Sequence, residues 1–180
     1  MWRRNTAKPR VCAEFDPIAW GSFPDDDRDD FDDNATCRAS DLAGAGDLDG
    51  ARELLMNVLL RDLRCIDAHA LLGFVEFHRS PRTALLHYEI GVGIGELSLP
   101  PGFDGVLQWG RIYNRPYLRA LHGQGLCLWR LGHFERALQV FDRILAFNPN
   151  DNQGVRFIRE DVIQRRPWES TRERRSVSAS

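Results

Sequence analysis

Lysine is nearly missing from this chain. Lys8 is the only one among 24 basic residues, so the other 23 are arginine in a sequence of 180 residues. Usage this one-sided reflects a GC-rich coding sequence and is no sign of phosphate recognition. An excess of charge is also missing: the formal net charge is -2, which argues against a general nucleic-acid binder. Cysteine is sparse, and Cys12, Cys37, Cys65 and Cys127 form no CxxC pair, which leaves neither a zinc clip nor a disulfide framework. Cys65 and Cys127 fall in apolar helical patterns, where a free thiol acts as a small hydrophobe, and a reducing, cytoplasmic setting is expected. No apolar run approaches the roughly 18 residues of a membrane span. No apolar stretch follows Arg3-Arg4, so no secretory signal is expected either. The histidines at 69, 78, 87, 122 and 133 include no i, i+4 pair, and neither a metal, another cofactor nor a catalytic Ser-His-Asp or Cys-His set is expected. Nothing in the chain gives positive evidence of an enzyme.

What is present is uneven. With 43% hydrophobic and 28% charged residues, the composition is that of one soluble domain with tails. Residues 1–10 are basic, Asp25 to Asp33 almost wholly acidic, and the end basic again. Residues 1–33 show no helical period and read as a disordered acidic arm. Phe15, Ile18, Trp20 and Phe23 interrupt it and are expected to dock on an apolar edge of the domain, with a short interaction motif as the alternative. Residues 34–166 carry helical apolar patterns, and residues 167–180 read as a disordered basic, serine-containing tail. The spacing predicts seven helices, over 34–45, 47–63, 66–77, 80–94, 116–131, 133–147 and 150–165, the last one capping. Asn114 is a candidate cap for the fifth, with Pro116 in its first turn. The stretch Asn148 to Gly154 reads as a turn, a proline break and an Asp or Asn cap on the last helix. Gly91-Val92-Gly93-Ile94-Gly95 has the look of a phosphate loop but ends a helix rather than opening one, and is rejected.

A repeat organises the middle. Ala137 and Phe141 lie four apart, with Gly125 twelve before Ala137 and Pro149 twelve after it. The same register recurs at Ala84, with Tyr88 four after and Gly73 eleven before, and at Ala51, with Gly46 five before and Leu55 four after. This pattern resembles the tetratricopeptide repeat (TPR) family, whose period is about 34 residues. Ala51 to Ala84 is 33 residues, the tight Arg79-Ser80-Pro81 turn accounting for the missing one, while Ala84 to Ala137 is 53. The surplus falls between Glu96 and Arg115, where Pro100-Pro101-Gly102 breaks any helix and predicts an inserted loop at 96–115. More narrowly, Trp109-Gly110, Asn114 to Ala120, Leu128 to Gly132 and Asn148 to Arg156 look like a group of mainly bacterial TPR proteins, a likeness that brings no activity with it. The departures are Leu121, Gln124 and Leu128, where the family usually has tryptophan, leucine and tyrosine.

The resemblance implies an all-α, TPR-like α-solenoid of about three helical hairpins plus a C-terminal capping helix. It also implies a concave groove lined by each hairpin's first helix. The residues placed there are Asp67, Ala70, Phe74, Phe77 and His78 in the second unit, and Arg119, His122, Leu126, Trp129 and Arg130 in the third. The function expected is an adaptor or scaffold that binds a protein partner, as a peptide or helix in that groove. Phe74, Phe77 and Trp129 would be apolar anchors, and Arg119 and Arg130 would grip a carboxylate, whose two oxygens suit the guanidinium fork; an acidic partner suits them. The competing reading makes Trp129 core and both arginines solvated surface. The acidic run at 25–33 is an internal mate for the groove or a solvated stretch. Arg115, beside Trp109, is expected to anchor the insertion. The alternative function is a self-associating structural or regulatory subunit, a homodimer packed through the open end at 34–63. Nucleic acid and membrane are not expected as partners.

Overall fold

The computed structural model describes residues 29–168. Among them the regular elements are helices: α1 (Asp29–Gly44), α2 (Leu48–Arg61), α3 (Ile66–Phe77), α4 (Pro81–Ser98), α5 (Arg115–Arg130), α6 (Phe134–Phe147) and α7 (Val155–Ile163). Helices α1 and α2, α3 and α4, and α5 and α6 pack as successive hairpins. The first helices α1, α3 and α5 lie beside one another in a row, and α7 covers α6. The result is the all-α solenoid of three hairpins and a capping helix that the repeat implied.

The second and third hairpins each close on a small residue. A Cβ on Gly73 would stand 2.6 Å from the Tyr88 ring, and one on Gly125 would stand 2.4 Å from Phe141. Only glycine lets the second helix's aromatic side chain press onto the backbone of the first. Ala84 and Ala137, one turn before those rings, are fully buried. Tyr88 also meets the next hairpin, since a Cβ on Gly123 would lie 2.1 Å from it. Gly95 receives Tyr117 in the same way. The repeat register is thus a packing rule, and it locks α3, α4 and α5 into one body.

The turns differ in kind. Gly46 and Gly132 both take a left-handed conformation, at φ 89 and φ 80. Around each, two amides reach back to the ending helix: Gly46 to Ala43 and Asp47 to Leu42, Gly132 to Trp129 and His133 to Leu128. Such paired bonds satisfy helix-end carbonyls and need glycine's freedom at the turning residue. The second hairpin has no such glycine. Ser80 instead caps α4 by accepting the Thr83 amide at 3.3 Å, with Pro81 opening the helix.

The core falls into two clusters. The first hairpin's is made of small groups, Ala35, Ala39, Ala43 and Ala51 with Leu55 and Val58, and α3 closes it with Ala68 and Leu72. The second is rich in aromatic side chains, among them Tyr88, Tyr117, Trp129, Phe141 and Phe147.

Several boundaries differ from expectation. Helix α1 covers Asp29–Gly44 rather than beginning at Asn34, so part of the acidic run is helical. Helix α4 runs to Ser98, taking the whole Gly91 to Gly95 stretch into its interior and stopping before Pro100. Helix α7 starts at Val155 rather than Asn150, because Asp151 takes a positive φ of 52 and its carboxylate accepts the Val155 amide at 2.7 Å and the Arg156 amide at 3.0 Å. Asn114 does not cap α5 with its side chain; its amide donates to the Gln108 carbonyl at 3.0 Å and holds the insertion together. That insertion, residues 99–111 and a 3-10 turn at Ile112–Asn114, is docked on the third hairpin. Leu107 is fully buried and its amide donates to the Phe147 carbonyl at 2.7 Å, while Phe103 packs on the Phe147 ring at 5.7 Å. The aromatic residues Phe15 to Phe23 lie outside the described residues.

Candidate functional site

Helices α3 and α5 each present one stripe that keeps contact with solvent. On α3 it runs Asp67, Leu71, Phe74, His78, and on α5 Arg115, Arg119, His122, Leu126, Arg130. Both follow the i, i+4, i+7, i+11 rule of a single helix face. The stripes lie side by side because they are tied at both ends. Arg119 donates to Asp67 at 3.1 Å across one end. At the other, the Arg130 guanidinium donates to the Phe77 carbonyl and, at 3.4 Å, to that of His78. Arg130 therefore satisfies carbonyls left over at the end of α3, a role its fixed fork of donors suits.

The sequence-predicted residues divide on this floor. Phe74 is 53% exposed and is the large apolar group facing solvent here. His78 and Arg119 are exposed, and Arg130 and His122 half-buried. Two expected anchors are not on the surface: Phe77 is 8% exposed and Trp129 1%. Trp129 is instead core, its indole N–H donating to the Arg166 carbonyl at 2.8 Å. The physical reason is a residue beyond the expected domain. Trp168 folds back after α7 and meets Trp129 edge-on at 4.8 Å and Phe77 edge-on at 5.5 Å, covering both. Residues 167–168 thus belong to the packed body rather than to a loose tail. The one signal in the sequence was a tryptophan set directly behind a helix-ending proline.

The insertion closes the other end of the floor. Arg115 donates through Nε to the Trp109 carbonyl at 3.0 Å and stacks over that indole at 5.6 Å, the anchoring role expected of it. Arg119 reaches the same ring at 6.0 Å, so the loop and the floor share Trp109. Three arginines then stand along the stripes against the single carboxylate of Asp67, and the floor is electropositive.

Buried polar groups lie beneath. The His122 Nε2 is buried without a hydrogen-bond partner, and burial pushes the ring down to about 4 against a smaller opposing pull from Asp151. His69 and His87 face each other at 5.8 Å, both lowered chiefly by burial, with His69 held by the Leu63 carbonyl at 3.0 Å. Next to them the buried Glu76 is ion-paired with Arg52. Burial pushes the Cys127 thiol up to about 12, which makes it a poor nucleophile. Among the described residues, no group of three or more His, Cys, Asp or Glu side chains is placed to hold a metal ion. Among them, too, no helix is long and apolar enough to cross a membrane.

Comparison with known proteins bears on one part of the chain. Residues 118–151, from the second turn of α5 to the turn before α7, match the Tetratricopeptide repeat family. None of the curated proteins compared with the chain matches it. The matched segment contains Gly125, Ala137 and Phe141, which follow the packing rule above, together with Pro149.

Proposed function

We propose that this protein is an interaction adaptor that holds a peptide or helix of a protein partner along the α3–α5 face. The observation that carries the reading is Phe74, a large ring left more than half exposed on the α3 stripe. An exposed aromatic residue on a rigid helix costs stability and supplies binding energy, and aromatic and arginine side chains dominate such energies. The arginines on the floor favour an acidic ligand, with Arg119 exchanging Asp67 for the ligand carboxylate. His78, His122 and Arg130 border the path, while Phe77 and Trp129 support it from below.

The test is a selection from a random peptide library on the full-length protein, set against Phe74→Ala and Arg119→Glu. Enrichment of acidic peptides that contain an apolar anchor is expected on the wild type, with at least about tenfold weaker binding to either variant, a hot-spot loss of about 1.4 kcal/mol or more. Equal enrichment on all three proteins would remove the face from consideration.

Self-association is the second reading, favoured by apolar side chains on the opposite side of the hairpins. Met56 and Leu60 follow one stripe at the end of α2, and Leu63 stands in the turn after it, exposed by 45%, 80% and 72%. Leu86, Ile90 and Leu97 follow another on α4. Sedimentation of the wild type over a wide concentration range, beside Leu60→Glu with Leu86→Glu, decides it. A constant monomer mass throughout would dismiss this reading.

A further inference from the structure

Resting on the reading that a partner enters along the α3–α5 face, we infer that the end of this face is a seat for a proline–aromatic segment, which the chain's own Pro167–Trp168 fills in cis. A partner carrying such a segment binds by displacing it.

The seat is built from three helix ends. Phe77 closes α3, Trp129 and Arg130 close α5, and the Gly132 turn leads into Phe134 of α6. Trp168 stands between the Phe77 and Trp129 rings, nearly perpendicular to both at 82° and 83°. Perpendicular contacts let the positive edge of one ring meet the negative face of another, a preference specific to aromatic groups. The Arg130 guanidinium backs the Phe77 ring at 5.3 Å and the His78 ring stands edge-on to it at 5.2 Å, which fixes the wall of the seat. A cleft of about 410 Å³ continues from Trp168 and Pro167 past Arg130 and Phe134, within the range of small-ligand pockets. A segment longer than the two residues now seated therefore has room.

The occupant is held in a way that permits exchange. Trp168 remains partly exposed. The chain reaches the seat through Arg165 at a φ of 52, the turning residue of the paired bonds that close α7. The amides of Gln164, Arg165 and Arg166 bond back to α7's own last turns at Glu160, Val162 and Asp161, so α7 can keep its fold while Trp168 lifts. Trp129 meanwhile offers its indole N–H to a backbone carbonyl, that of Arg166, which any incoming segment also possesses. A short tether keeps the cis occupant at a high local concentration, so the seat answers only to partners that outcompete it.

The chain supplies its own probe. A fluorescein-labelled peptide with the sequence of residues 164–170, QRRPWES, is titrated by anisotropy into full-length wild type and full-length Trp168→Ala. The emptied variant is expected to bind the peptide saturably, and the wild type at least about tenfold more weakly because its seat is filled. The same peptide with alanine for tryptophan is expected not to bind. Circular dichroism checks that the variant is folded, and Trp168→Leu, which leaves a smaller plug, is the second variant and is expected to fall between the two. Absence of saturable binding to the folded variants, or equal affinity for variant and wild type, overturns the inference. Phe74 takes no part in this titration, so the seat and the peptide path along the floor stand or fall separately.

Discussion

Single atoms decide much of this architecture. Tyr88 is wedged between Gly73 and Gly123, and a methyl group on Gly123 would collide with its ring at 2.1 Å. Gly123→Ala is expected to cost about 1–3 kcal/mol in chemical denaturation, the usual penalty for overpacking. Gly93→Ala, in the same solenoid but with open space around its backbone, is expected to gain up to about 1 kcal/mol from helix propensity. Opposite signs at two helical glycines separate close approach from mere tolerance. His122 gives a second residue-level prediction. Its folded value of about 4 lies below the ordinary 6.5, so the unfolded chain takes up a proton first as the medium turns acid. Stability is therefore lost as pH falls from about 6.5 to about 4, by on the order of 3 kcal/mol for this group. His69 and His87 shift the same way and add to the slope. Urea melts across that window are expected to show a shallower slope for His122→Leu than for the wild type; parallel slopes would contradict the assignment.

Helices end where side chains stop them. Asp151 holds the first two amides of α7, and its replacement by alanine is expected to cost about 1 kcal/mol and to raise hydrogen exchange at Val155 and Arg156 above all other amides of that helix. Uniform exchange along α7 would show that another group caps it. How far the elements were legible in the sequence follows from such details. The hairpins were readable because the small residue, the aromatic residue and the turn each have a local cause: Gly125 must admit Phe141, and Gly132 must take a positive φ. The start of α1 was not, since the run from Asp29 offers no apolar period and its helix depends on being continuous with Ala35, Ala39 and Ala43, which pack on α2 and α3. The start of α7 misled as well. Asp151 reaches four and five residues ahead rather than the two or three of a usual cap, and so shortens the helix from its front. On the candidate face, the family resemblance put Phe74, His78 and Arg119 in the open, and the helical period keeps each stripe on one side. It could not show that Trp129 is covered, since its cover comes from Trp168, 39 residues away in the chain and near it only in space.

Across the whole molecule the two cores are unequal. The first hairpin is held by alanines and a few aliphatic groups, the rest by interlocked rings. In a repeat array stability is a sum of units and their interfaces, so the weak end opens first. Native-state hydrogen exchange is expected to find the amides of α1 and α2 opening at lower free energy than those of α3 to α6, and a single global opening would refute this. The insertion, finally, bears on how the chain could be divided. Its tip at Pro101 and Gly102 is exposed, with Gly102 at a φ of 72, while contacts on either side of it reach across to the opposite part. Tyr88 against Gly123, Tyr117 against Gly95, Arg119 with Asp67 and Arg136 with Glu89 all join residues before the tip to residues after it. A chain severed behind Gly102 should therefore remain one particle, and two separately produced halves, 1–102 and 103–180, should find each other again when mixed and elute together on gel filtration. The solenoid is in that sense a natural clasp, and a reporter cut at the same place would report whether its halves have met.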